Sequence, residues 1–482
     1  MPESQLYFLL AFLAYLLVMI LVSWLVSRKQ KNVSDYLLAG RKVPLLLTLG
    51  TTVATMVGTG SSMGAVGFAY SNGWAGALYG LGGAAGILLL AWLFAPARQQ
   101  AFTTMSEELA SYVGNHHVVK NTLAIMIYAA SIGWLGAHLI GGSMYLSWLT
   151  DLTAFQTKLL IGAGLSVFII LGGYSAVIWT DALQAIVLFI GFMLMAYFSV
   201  QYVGGFEAVN SSELVLEQGI FSFNNVGLLP AISMFLAVLV GVLATPSFRQ
   251  RIYAADSVKT IRRSFLISGI LYLFFALLPA LIGISAFVIN AQLDNAAYAF
   301  PYLALEVLPI MLGGFILLAG ISATLSSASS DAIAGVSVLM SDLFCAFSKQ
   351  PQNAKQQLLC SRVAMLLTIL IALLLALWSD NIVSYITKMI SILMSGLCVL
   401  GLLGRFWQPF TWQGALATLF GGALAGIAVG ANSQWLAFFG NPIIPSVLSA
   451  LSLGAFVSML TKTHTAECIE GVNEVNIDEQ SQ

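Results

Sequence analysis

Charge is what this sequence has least of. Lys, Arg, Asp and Glu make up 8% of its 482 residues, against about 25% in globular domains. The net charge of −1 gives no case for a nucleic-acid partner. The four cysteines, Cys345, Cys360, Cys398 and Cys468, stand far apart in membrane or cytoplasmic segments, so no disulfide framework is expected. The N-terminus has no basic stretch before its apolar run, and that run is long enough to span a bilayer, which argues against a secretory signal. Short alternating strands are missing, which excludes a β-barrel reading. No kinase, nucleotide-binding or other soluble domain is expected, and no enzyme chemistry.

What fills the chain is apolar residue, 59% of it, in runs of about twenty that each cross roughly 30 Å of hydrocarbon. The expected class is an all-α polytopic membrane protein. About thirteen spans are expected, at roughly 5–27, 46–71, 75–95, 122–147, 157–178, 181–203, 228–246, 264–288, 309–341, 361–378, 382–404, 413–431 and 441–461. Lys and Arg then orient the chain. Arg28, Lys29, Lys31, Arg41, Lys42, Arg98, Lys120, Arg249, Arg251, Lys259, Arg262, Arg263, Lys349, Lys355, Arg362, Arg405 and Lys462 all fall on one side, leaving Lys158 and Lys388 for the other. The N-terminus is therefore expected outside and the C-terminus inside a cytoplasmic (inner) membrane. The segment 204–227 reads as exposed on the outer side, and 463–482 as an acidic, disordered cytoplasmic tail.

The chain is organised around Ala323 to Asp331, which packs four serines and a carboxylate into nine residues of an apolar run. Ala323, Ser326 and Ser327 share a helix face, and Ser326, Ser329 and Ser330 repeat that spacing one step on. Neutral oxygen ligands suit a hard cation that must be bound and released, here Na⁺. Small residues also serve plain close packing of helices. The second span, from Ala54 to Gly67, holds Gly58, Gly60, Gly64 and Gly67. Glycine at that density either breaks the helix at mid-membrane, freeing carbonyls to line a cavity or hold an ion, or lets a neighbour pack closely. The seventh span, between Pro230 and Pro246 with Gly241 inside, is the other candidate broken helix. Asp181 falls at the cytoplasmic end of the sixth span, either as a helix cap or as a functional carboxylate at membrane depth. The connection 103–119, with Glu107, Glu108, His116 and His117, reads as an amphipathic helix and turn; its adjacent histidines lack the spacing and the third ligand of a metal site.

Several stretches together resemble the sodium:solute symporter family over about residues 5–461. They are Asp35-Tyr36 through Gly40-Arg41, Gly172-Gly173 through Thr180-Asp181 and Gln184, Arg249-Gln250-Arg251 with Ala254-Ala255, and Ala323 through Ser330 followed by Asp342-Leu343. The resemblance implies a LeuT-like fold of two inverted five-helix repeats, about 46–204 and 228–404, in one transporter domain 1–462 with extra helices 5–27, 413–431 and 441–461. It implies a central Na⁺ held by Ala54, Val57, Ala323, Ser326 and Ser327. It also implies, for the members with two ions, a second Na⁺ at Asp181, Ser326, Ser329 and Ser330. The chain departs from some members: Met56 stands where proline-transporting members have Asp, the fourth span lacks the Arg of sialic-acid-transporting members, and Asp331 stands where Gln is frequent. These departures leave the solute open.

In that fold the solute sits near the midplane. Thr55, Gly58 and Ser61 are candidates on the second span. Tyr128, Ser131, Trp134 and His138 recur at helical intervals on the fourth. His138 is either a solute contact or a hydrogen-bonded packing residue. Lys388 either attracts a carboxylate or snorkels to the surface. With both functional, a small organic anion would be the natural solute; an amino acid or sugar-like solute stays open. The expected function is Na⁺-driven import of a small polar solute. The alternatives are a proton-coupled carrier of the same fold and, from a different class, a membrane solute sensor. The oligomeric state is not legible.

Overall fold

Leucine-, alanine- and valine-rich runs with few polar interruptions build helix after helix in the computed structural model. It describes every residue except 1–2, 29, 31, 151, 219–225, 345–353, 378–381 and 479–482, and leaves out the side chains of 3–6, 149, 217–218, 354, 382–383 and 462–478 as well. Lys29, Lys31 and Lys349 of the charge pattern, Cys345, and part of the outer segment therefore lie outside the described residues, as do the side chains of Lys462 and Cys468. Among the described residues eleven helices are long and apolar enough to cross a membrane, and the one β-type contact is an isolated bridge between Val43 and Ala255. The count differs from the expected thirteen at two places. The second and third spans share one long helical stretch, Gly60–Leu93, with Leu45–Met56 as a separate shorter helix, and the fifth and sixth are one run, Ala154–Tyr202.

Seven helices position the site and are numbered here in chain order. They are α1 (Leu45–Met56), α2 (Ala65–Asn72), α3 (His117–Leu149), α4 (Ala154–Tyr202), α5 (Leu228–Ala244), α6 (Pro246–Ala254) and α7 (Ile310–Val338). At 1.5 Å per residue a straight α4 would be about 70 Å long, far more than a bilayer. Gly173, at φ 53° and ψ −156°, breaks it into two arms. Only glycine adopts that backbone readily, and a Cβ there would stand 2.5 Å from the Tyr36 ring. The Asp35-Tyr36 motif is thus the partner of the Gly172-Gly173 motif: Ser175 Oγ donates to the Asp35 carbonyl at 3.0 Å, and Gln30 Nε2 to that of Gly172.

The helix α7 runs through the middle of the bundle, buried from Ile321 to Val338 and packed against α3 and α4. Leucines and phenylalanines of the peripheral helices, such as Leu374, Phe274, Phe420 and Phe456, face outward, as lipid requires. The last two spans, Trp412–Ala431 and the helix from Ile443, pack mainly on each other. That final helix continues to Asp478, into the acidic segment. No proline follows Pro445 to stop it.

Candidate functional site

The glycine-rich second span breaks as expected. The helix α1 ends at Met56, Val57 leaves helical geometry (φ −94°, ψ 71°), and a π-turn over Gly60–Gly64 leads into α2. A break frees backbone carbonyls, and local hydroxyls take some of them: Ser61 Oγ donates to Met56 and Gly58 carbonyls at 3.0 and 3.2 Å, Ser62 Oγ to Gly58 at 2.8 Å. Close packing applies here too. A Cβ on Gly58 would lie 2.7 Å from Ser327 Oγ and 2.8 Å from the His138 ring.

Facing the break, the serine face of α7 meets the last turn of α1. Ser326 Oγ donates to the carbonyls of Ala54 at 3.0 Å and Ala323 at 3.2 Å. Ser327 Oγ reaches Ala54 O at 3.5 Å, Thr55 O at 3.2 Å and Ala323 O at 3.3 Å. Ala54, Ala323, Ser326 and Ser327 are therefore brought together from two helices. Val57 sits on the break beside them, and Thr55 adds a carbonyl that the reading missed. The set is neutral, all oxygen and fully buried, which fits a monovalent hard cation.

Asp181 is not a helix cap. It lies inside α4, eight residues beyond the Gly173 break, and is fully buried. Its Oδ2 accepts from Thr51 Oγ1 at 2.6 Å and Ser330 Oγ at 3.1 Å, and stands 3.4 Å from the Arg251 guanidinium. Ser329 Oγ bonds back to the Ser326 carbonyl at 2.8 Å. Arg251 was counted as a loop charge, and so was Arg249; both are about 1% exposed. The reason is local. The seventh span stops at Ala244, Thr245 is extended, and Pro246 starts α6, which turns both arginines back into the bundle. Arg251 Nη2 donates to Thr51 O and Oγ1 at 3.0 and 2.7 Å, to Ser330 Oγ at 2.7 Å, and to Thr55 Oγ1. Arg249 pairs with Glu108 at 2.7 Å and lies over the Phe94 ring. Glu108, placed by the sequence in an amphipathic helix and turn, is fully buried and also accepts from Tyr112 and Tyr253 hydroxyls. Burial, and then the Glu108 carboxylate, push the Tyr112 hydroxyl above its ordinary range, so it stays a donor.

Thr55, Gly58, Ser61, Trp134 and His138 line one small cavity of about 50 Å³, together with Asp331, Tyr79, Tyr272, Phe248 and Thr245. His138 Nδ1 is 3.0 Å from Thr59 Oγ1 and its Nε2 is 3.2 Å from Asp331 Oδ2. Lys388 is elsewhere. It lines a second, wider cavity of about 730 Å³ with Asp294, Asn295, Ser71 and Met234. The two cavities lie along the same helices, since Gly60 and Val238 face the inner one and Met63 and Met234 the outer one. Asp331 had been noted as the carboxylate of the serine stretch and as a departure, but no sequence spacing ties it to His138, 193 residues away.

The model of the sodium:solute symporter family matches residues 36–422. The chain belongs to the sodium:solute symporter family. It is therefore an integral, multi-pass membrane transporter and not an enzyme. The high-affinity proline transporter of Bacillus subtilis is 27% identical over 95% of this chain and 98% of its own length. The sodium/pantothenate symporter of Escherichia coli is 26% identical over 94% and 96%. The solved structure of a Na⁺-coupled sialic acid symporter, substrate-bound and outward-open, superposes with a TM-score of 0.83 at 21% identity, covering 95% of this chain and 97% of that one. That likeness shows a shared, LeuT-like all-α fold.

Proposed function

We propose that this symporter-family member imports a small polar organic solute with Na⁺, by alternating access. The observation that carries the reading is the meeting of Ser326 and Ser327 with the Ala54 and Thr55 carbonyls at the end of a broken helix. In this reading one Na⁺ sits among Ala54, Val57, Ala323, Ser326 and Ser327, and the solute sits one wall away in the His138 cavity, reached through the wider outer one. The moving parts are two inverted repeats, about 46–204 and 228–404, in a domain 1–462 with the N-terminus outside and the C-terminus in the cytoplasm. Inward movement of each Na⁺ contributes about 2.3 kcal/mol per 100 mV, beyond its concentration gradient. The cation charge at Asp181 is supplied by Arg251 in the conformation described, so a second Na⁺ at Asp181, Ser326, Ser329 and Ser330 belongs to a conformation in which Arg251 withdraws.

The buried His138–Asp331 pair favours one other reading, a carrier coupled to protons. Uptake into proteoliposomes, with and without a Na⁺ gradient at fixed pH, separates the two. Accumulation that requires the Na⁺ gradient supports Na⁺ symport; accumulation driven by a pH gradient in Na⁺-free medium removes it.

A further inference from the structure

The carboxylate of Asp331 is 2% exposed, lies in the wall of the inner cavity, and uses only one of its two oxygens. Oδ2 meets His138 Nε2, whereas Oδ1 has no hydrogen-bond partner among the described residues. With a proton on Nε2 alone, His138 accepts from the Thr59 hydroxyl at Nδ1 and donates to Asp331; with both nitrogens protonated it donates to both. Either way both ring nitrogens are used and Oδ1 of the carboxylate stays open. No Lys or Arg lines the cavity. The Nη2 of Arg251 is turned to Thr51, Thr55, Ser330 and Asp181 instead. A buried carboxylate oxygen left without a partner inside a membrane protein is costly, and a carboxylate repels an anion.

The rest of the wall suits a cation. Trp134, Tyr79, Tyr272 and Phe248 place four aromatic rings around the cavity, and ring faces attract ammonium groups. One further polar atom is open: Trp134 Nε1, buried and without a partner among the described residues, lacks an acceptor. The wall therefore asks for one positively charged donor and one acceptor oxygen. We propose that the solute is a small protonated amine carrying an acceptor oxygen, of amino-acid or amino-alcohol size, with its ammonium on Asp331 and its oxygen on Trp134. This rests on reading the inner cavity as the solute seat, and it replaces the organic anion that His138 and Lys388 together would have implied, since those two line different cavities.

The test is binding to the purified full chain in Na⁺ medium, followed by thermal stabilisation. The probes are matched pairs that differ in the nitrogen: glycine and glycolate, L-alanine and L-lactate, L-proline and tetrahydrofuran-2-carboxylate, ethanolamine and ethylene glycol. The expected result is stabilisation by an amine member and not by its oxygen twin. Asp331→Asn should raise the half-saturating amine concentration by about tenfold or more, with Asp331→Glu retaining part of the affinity. Stabilisation of Asp331→Asn by Na⁺ alone, relative to K⁺, shows that the variant is folded. The proposal is overturned by an oxygen twin that binds as well as its amine, by amine affinity unchanged in Asp331→Asn, or by no amine binding at all. Failure of the symport reading is seen separately, as a lack of any Na⁺-specific stabilisation in the parent protein.

Discussion

Arg251 and Asp181, 70 residues apart in sequence, face each other at 3.4 Å with both side chains fully buried. Each neutralises the other inside the membrane, and Thr51 and Ser330 hydrogen-bond to both. The contact joins α4 to α6 and so links the two proposed repeats beside the serine face of α7. Removing one partner of such a pair leaves a bare buried charge, which costs about 3–5 kcal/mol. Asp181→Asn and Arg251→Gln should each lower thermal stability in detergent by an amount of that order, and the double variant should be more stable than either. Two single losses that simply add would show that the pair does not interact. If Arg251 stands in for a second cation, Arg251→Gln also raises the Hill coefficient for Na⁺; an unchanged coefficient means that no second ion enters.

Ser326 and Ser327 each bring a hydroxyl to the Ala54 end of the broken helix. A hydrogen-bonding oxygen facing a charge contributes about 1.5–3 kcal/mol. Each serine-to-alanine change should therefore raise the half-saturating Na⁺ concentration by about tenfold or more. Na⁺ titration of thermal stability, with K⁺ as the reference, measures this without knowledge of the solute. A normal Na⁺ midpoint in the double variant would return both serines to a packing role.

Gly173 joins the two arms of α4 at a backbone angle closed to other residues, and a Cβ would strike Tyr36 at 2.5 Å. Gly173→Ala should destabilise the protein by about 1–3 kcal/mol from strain alone, plus the clash. Gly314→Ala is the control. It lies in the helix α7 with nothing within 4 Å of an added Cβ, and alanine there should be neutral or stabilising by up to about 1 kcal/mol. Equal melting temperatures for the two variants would contradict the description of the α4 break.

Orientation is open to a direct measurement. A reporter fused after Lys462 should read as cytoplasmic, and one inserted within 208–222 as external. The reverse result at either point would overturn the orientation drawn from the 19 basic residues.

The sequence by itself determined the elements whose cause is local. Apolar runs of bilayer length made the spans, because hydrocarbon demands that each segment satisfy its own backbone. Four glycines in ten residues marked the second span as the place where a helix could break, and the i, i+3, i+4 spacing put Ala323, Ser326 and Ser327 on one face. The candidates Thr55, Gly58, Ser61, Trp134 and His138 could be named because the family resemblance implied a solute near the midplane, and helical intervals put Trp134 and His138 on one face of their span.

Tertiary structure alone decided where the charges go. The hydropathy of Arg249 and Arg251 says loop, yet Pro246 starts a helix that carries them into the bundle, where Glu108 and Asp181 wait on distant elements. Asp331 and His138 meet only because α3 packs along α7. Lys388 and His138 are both polar residues on spans, and only the packing of those spans puts them in separate cavities. Charge pairing acts through space over a few ångströms, and sequence spacing carries no record of a contact made 70 or 193 residues away.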